Sequence, residues 1–174
     1  MTERPSDKPD GDAVQRPAGP TRVRLRSFSR SLPMMLLRAR ESVMRHFRAS
    51  LRSHDLTEQQ WRVLRALFAV GEIEVSQLAR ATYLLAPSLS RILKDLEARD
   101  LIVRRLDADD MRVGLVRIAS RGTDLIETVS PQSEAIYADI TARFGPERLA
   151  QLQGLLVELE RAMAMDEGNR ASET

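Results

Sequence analysis

Five basic side chains carry the most suggestive chemistry in this 174-residue sequence: Arg91, Lys94, Arg104, Arg105 and Arg112. Cations clustered in one short stretch are suited to neutralising the phosphates of a nucleic acid, the part of affinity that does not depend on base sequence. Between positions 87 and 99 the apolar residues Leu89, Ile92, Leu93 and Leu96 recur at helical spacing. They leave Ser88, Ser90, Arg91, Lys94 and Asp95 on the other face, which is what a DNA groove would meet. Pro87 suits the first helical position, and Ala86 before it is pushed out of the helical region, so the chain turns there. The hydroxyl of Ser76 is placed to cap the shorter helix that carries Leu78 and Ala79. Beyond the second helix, residues 102–106 alternate as a strand holding Arg104 and Arg105. Asp107 to Asp110 break it, Arg112 stands beside Asp110 at the tip, and residues 113–118 return with β-branched side chains.

A second candidate chemistry lies near the start. On a helix over residues 31–51, Leu32, Leu36, Ala39, Val43 and Phe47 form a stripe that Leu37, Met44 and Leu51 widen. Arg40 falls inside that apolar sector. Its guanidinium either snorkels to water or awaits a carboxylate, whose geometry a two-pronged donor matches. Ser31, Arg38 and Arg45 line the opposite face. Ser31, Met34, Trp61 and Tyr83 are the neighbours expected to hold the ring and polar substituents of an aromatic carboxylate, with Arg38 as a further candidate anchor.

These residues require a framework that is mainly α with a small β-wing: a winged helix-turn-helix flanked by N- and C-terminal helices. Thr57 and Gln60 form a capping pair for a helix over Glu58–Val70, which Gly71 stops and whose buried face is Trp61, Leu64, Leu67 and Phe68. Residues 122–144 read as a helix kinked or broken by Pro131, and Gly145-Pro146 separates a last helix ending at Met165. The expected organisation is a disordered tail over 1–26, a dimerisation helix over 27–56, the DNA-binding domain over 57–122, dimerisation helices over 123–166 and a disordered tail over 167–174. Leu149, Leu152, Leu156, Leu159 and Met163 make a stripe in the last helix that needs another surface to cover it.

Composition narrows the function. There are no cysteines, which excludes disulfides and thiol-based sensing, and only two histidines without spaced partners, so no metal or cofactor is expected. No nucleophile, acid/base pair or glycine-rich phosphate loop stands at recognisable spacing, which argues against an enzyme. No apolar run reaches the roughly 20 residues of a membrane helix, and the expected location is cytoplasmic. The formal net charge is +2, so the case for nucleic acid rests on charge distribution, including the basic run Arg22, Arg24, Arg26 and Arg30.

Leu78-Ala79-Arg80, Leu89-Ser90-Arg91-Ile92-Leu93, Asp95-Leu96-Glu97-Ala98-Arg99, Leu101-Ile102-Val103-Arg104, Asp110-Met111-Arg112 and Ile118-Ala119-Ser120-Arg121-Gly122 resemble the MarR (multiple antibiotic resistance regulator) family of bacterial repressors. The likeness extends over residues 32–165. Ser31 to Glu41 and Leu56 to Leu64 are similar to the branch that controls homoprotocatechuate and related aromatic-acid operons, with hydroxynicotinate-responsive repressors as neighbours. Asp100 and Ala119 depart from the family, which usually has Gly and Thr there. The resemblance implies a homodimer joined by its first and last helices. It also implies a palindromic double-stranded DNA operator and an effector cavity where the second helix meets the first. The effector would be a small aromatic or heteroaromatic carboxylate of the hydroxyphenylacetate or hydroxynicotinate type. A winged-helix protein-interaction module, and a regulator of this family without an effector, are the alternatives.

Overall fold

The computed structural model describes residues 27–171. Arg22, Arg24 and Arg26, with the rest of the 1–26 tail, lie outside them. A short 3-10 turn, Phe28–Arg30, precedes α1 (Leu32–Arg52), α2 (Glu58–Val70), β1 (Glu72–Glu74), α3 (Val75–Thr82), α4 (Ala86–Ala98), β2 (Ile102–Leu106), β3 (Gly114–Ile118), α5 (Ser120–Phe144) and α6 (Pro146–Ala171). The chain divides into two compact units, Met1–Leu37 and Arg38–Thr174. In the first, the Ser31 hydroxyl donates to the Phe28 carbonyl at 2.8 Å, closing the turn that leads into α1. Phe28, Leu32 and Met35 are exposed. The second unit contains every element from α2 to α6.

Local chemistry starts and stops α2 as the capping pair requires. The Gln60 amide donates to Thr57 Oγ1 at 3.2 Å, and the Thr57 amide donates to Gln60 Oε1 at 2.7 Å. Gly71 ends the helix at φ 79°, a conformation that glycine adopts without a Cβ penalty. The apolar face of α2 then closes a core. Val63, Leu64 and Leu67 meet Leu78 of α3, Leu89, Leu93 and Leu96 of α4, and Val116 of β3, all fully buried. Each such side chain contributes about 1.5–3 kcal/mol by leaving water. Phe68, expected in that face, is instead exposed, because it lies off the line that α3 and α4 cover.

Several boundaries differ from the sequence reading. Ser76 does not cap α3: Glu74 occupies the cap position without a side-chain bond, and the Ser76 hydroxyl donates to Glu74 Oε2 at 3.1 Å. The cause is β1, three residues too short to show an alternation. It pairs antiparallel with β3, Glu72 opposite Arg117 and Glu74 opposite Leu115, so the helix starts straight from a sheet ladder of order β1-β3-β2. Ala86 is the first residue of α4 and Leu85 its extended cap, with Pro87 following. Proline disfavours a helical predecessor without forbidding it, and its missing N–H is harmless anywhere in the first turn.

The wing is a two-strand ladder from Ile102 opposite Ile118 to Leu106 opposite Gly114. Asp100 enters it at φ 56°, the left-handed region that Asp tolerates better than most residues. Gly122 must be glycine. A Cβ there would collide with the Leu101 carbonyl oxygen and stand 2.8 Å from Ile118 Cγ1, because the start of α5 lies directly on the strand entry. α5 continues through Pro131 as one helix, since Ile126, Val129 and Ser133 stay buried on both sides of it and packing outweighs the lost hydrogen bond. α6 also extends beyond Met165 to Ala171, past Gly168, since one glycine costs a helix only about 1 kcal/mol. No helix among the described residues is long and apolar enough to cross a membrane.

Candidate functional site

α4 turns one face into the core and leaves Pro87, Ser88, Ser90, Arg91, Lys94 and Asp95 exposed. Arg91 and Lys94 form no ion pair among the described residues and are open cations on that face. Asp95 is engaged differently: the Gln60 side-chain amide donates to its Oδ2 at 2.6 Å, and Arg99 lies 3.7 Å from the same atom. Asp95 therefore ties α4 to the start of α2 rather than standing free.

The wing arginines divide by partner. Arg105 makes a two-pronged bond to Glu72 of β1, at 3.0 and 2.5 Å, fastening the hairpin to the short strand across the sheet. That guanidinium holds the Glu72 carboxyl below the ordinary carboxylate range. Arg104 lies 3.5 Å from Glu97 of α4. Both were expected to be phosphate contacts, yet much of their charge is balanced within the chain. Arg112 differs, with its side chain 95% exposed and Asp110 no nearer than 3.9 Å. Asp110 accepts from the Arg112 amide at 3.0 Å, while Asp107 accepts from the amides of Asp109 and Asp110 at 2.8 and 3.2 Å. These amides depress the Asp107 carboxyl and shape the tip that displays Arg112.

Within the second unit, a cavity of about 460 Å³ lies between the later part of α1 and α2. Arg40, Arg62 and Arg65 face it with one carboxylate, Glu58, and Trp61 and Tyr83 form part of the wall. Phe47 and Tyr137 complete an aromatic side, their ring centroids 4.9 Å apart. Arg40 does not wait for an external carboxylate, as its sequence context suggested. It pairs with Glu58 and, at 2.9 Å, with Glu41. Glu58 is only 10% exposed and also receives Arg48 at 3.3 Å and Arg62 at 3.1 Å. Arg48, more than any other neighbour, keeps the Glu41 carboxyl below its usual value. Arg65 has no carboxylate partner among the described residues, and its guanidinium carbon stands 5.8 Å from the Trp61 ring centre. Arg38 is exposed and does not line this cavity, while Ser31 and Met34 belong to the first unit.

Glu58, Arg62 and Arg65 were absent from the residues singled out in the sequence. With Trp61 they stand at i, i+3, i+4 and i+7, one face of α2, and a charged face beside a tryptophan was the available signal. Tyr137, in a helix marked only by its extent and its proline, carried none.

The chain has clear relatives. A family model described as the MarR family matches residues 54–112. The homoprotocatechuate degradative operon repressor of Escherichia coli is 37% identical over 128 residues, covering 74% of this chain and 86% of that one. The solved structure of transcriptional regulator PA4135 superposes with a TM-score of 0.73 at 43% identity, over 75% of this chain and 96% of that one. NadR in complex with 4-hydroxyphenylacetate superposes with a TM-score of 0.68 at 33% identity, over 79% and 97%. With a helix-turn-helix, an Arg-tipped wing and relatives matched over most of their length, the chain belongs to the MarR family of winged-helix transcription regulators.

Proposed function

We propose that this protein is a homodimeric repressor that binds a palindromic operator and leaves it when a small aromatic carboxylate enters the cavity of α1 and α2. The observation that carries the effector half of this reading is the charge of the cavity: three guanidinium groups against one carboxylate, beside aromatic walls. Such a site suits an anion with an apolar ring. The similarity to NadR, whose structure holds 4-hydroxyphenylacetate, favours the same chemical class. Arg65 is the proposed anchor because Arg40, Arg48 and Arg62 already share Glu58, and Trp61 is the ring partner. This seat is built from the second unit alone.

On the DNA side, Ser88, Ser90 and Arg91 are assigned to base edges and Lys94 and Arg112 to phosphates, with Ser76 and Pro87 beside the groove. Arg104, Arg105 and Asp110 hold the wing that presents Arg112. Two recognition helices about 34 Å apart would enter successive major grooves. The exposed stripe of α6 and the start of α1 are the surfaces proposed to join two copies. A ligand releases DNA by favouring a spacing of the readers that no longer fits, and only to the extent that it binds that state better.

The test is thermal shift and operator release with 4-hydroxyphenylacetate. At 100 times its dissociation constant a ligand adds about 2.7 kcal/mol of stability. Arg65→Met should keep the dimer and its DNA binding while abolishing both responses, and Arg40→Met should retain them. The reverse pattern would make Arg40 the anchor, and a wild-type protein indifferent to 4-hydroxyphenylacetate and hydroxynicotinate would remove this effector class.

A further inference from the structure

Tyr83 ends α3 in the left-handed region, at φ 52°, with its amide donating to the carbonyls of Ala79 and Arg80. A residue other than glycine persists there only where its surroundings fix it. Two contacts do so. On the inner side, Arg62 Nη1 donates to the carbonyl of Thr82 at 2.9 Å, and Thr82 is wholly buried with its hydroxyl on the Leu78 carbonyl at 2.6 Å. On the outer side, the Tyr83 phenol donates to Glu160 Oε1 at 2.6 Å, reaching α6 across 77 positions of sequence. That carboxylate also holds the phenol above its ordinary pKa, in keeping with a donor facing an anion. Among the described residues this is the one side-chain hydrogen bond or ion pair between α6 and the reader. The turn it grips is the turn of the helix-turn-helix, three positions before α4 begins at Ala86.

We infer that Tyr83 and Glu160 are a positioning pair that fixes the recognition helices on α6 and so sets their separation in the dimer. The inference rests on the dimeric, operator-binding reading above. It also gives the cavity a route to the reader. Arg62 faces the cavity, shares Glu58 at 3.1 Å and grips the carbonyl that precedes Tyr83, so a change in its pairing bears on the same turn. Neither Tyr83 nor Glu160 has to touch DNA for this.

Operator affinity measured on two DNAs separates positioning from folding. The probes are a palindromic duplex that the protein itself selects from a random library, and the isolated half-site. Tyr83→Phe and Glu160→Ala should each weaken the palindrome by about 3- to 10-fold, the scale of one lost hydrogen bond. The double variant should be no worse than either single one. Half-site affinity should stay within about twofold, since separation matters only when two readers bind at once. Glu160→Gln keeps an acceptor oxygen and should restore palindrome binding. Unchanged palindrome affinity, additive losses or an equal loss on the half-site would each overturn the inference. Failure to select any palindrome would overturn the dimeric reading and the inference with it.

Discussion

The reader and the last helix use the same residue at the same spacing and bury it differently. From α2 to β3, Leu64, Leu67, Leu78, Leu89, Leu93 and Leu96 are fully enclosed within one chain. Along α6, Leu152, Leu155 and Leu156 are 41%, 62% and 42% exposed. Around the reader, α2, α3, α4 and a sheet converge on one core, whereas α6 packs principally on α5. Periodicity thus states which face seeks cover, and the number of converging elements decides whether the chain supplies it. The reader is complete alone. α6 keeps an apolar face for a second surface, which the proposed dimer provides.

The sharpest way to break this contrast is one substitution made in both places. Leu93→Ala should lower the free energy of unfolding by about 2–5 kcal/mol in urea titration, because it leaves a cavity in a closed core. Leu155→Ala should change it by less than about 0.5 kcal/mol in dilute protein. In sedimentation, however, Leu155→Ala should raise the dimer dissociation constant, and Leu93→Ala should not. Equal stability losses would show that α6 is as enclosed as the reader.

A smaller effect sharpens the contrast within the reader, between its core and its charged rim. Arg112→Ala should weaken binding to all DNA sequences and reduce the slope of log affinity against log salt by about one, with the melting temperature nearly unchanged. Unfolding would instead make the Arg112–Asp110 pair part of what holds the hairpin. The smallest effect is acid loosening of the wing. Glu72 and Asp107 have folded pKa values below the ordinary carboxylate range, the first through Arg105 and the second through two backbone amides. Their contribution is complete above the ordinary carboxylate pKa of about 4 and is lost as pH falls through the depressed values. Amide exchange should therefore quicken in β2 and β3 under acid while the amides of Leu64 and Leu93 stay protected. Simultaneous loss would place wing and core in one cooperative unit.

Much of the fold was legible because its signals are local. Thr57 with Gln60, Gly71, Pro87 and the leucines of α4 each act within one or two turns, and α2 and the wing strands fell within a residue of expectation. β1 was not legible. Three residues hold no period, and only the ladder with β3 makes them a strand and displaces Ser76 from its cap. The cavity was half legible: Arg40, Trp61 and Tyr83 stood out in the sequence, but Glu58, which changes what Arg40 can do, figured there only as the first residue of a helix.

The sequence by itself determined the helices, the wing and the basic character of the reading face, because backbone preference and periodicity depend on near neighbours. Only the tertiary structure decided which cations remain open. Arg105 is balanced by Glu72 from 33 positions away and Arg40 by Glu58 on another helix, whereas Arg65, Arg91 and Lys94 have no carboxylate partner among the described residues, and Arg112 has only Asp110 at the 3.9 Å limit with its side chain 95% exposed. A guanidinium's availability follows from which carboxylates the fold brings within about 4 Å, and that distance is a property of packing rather than of sequence spacing.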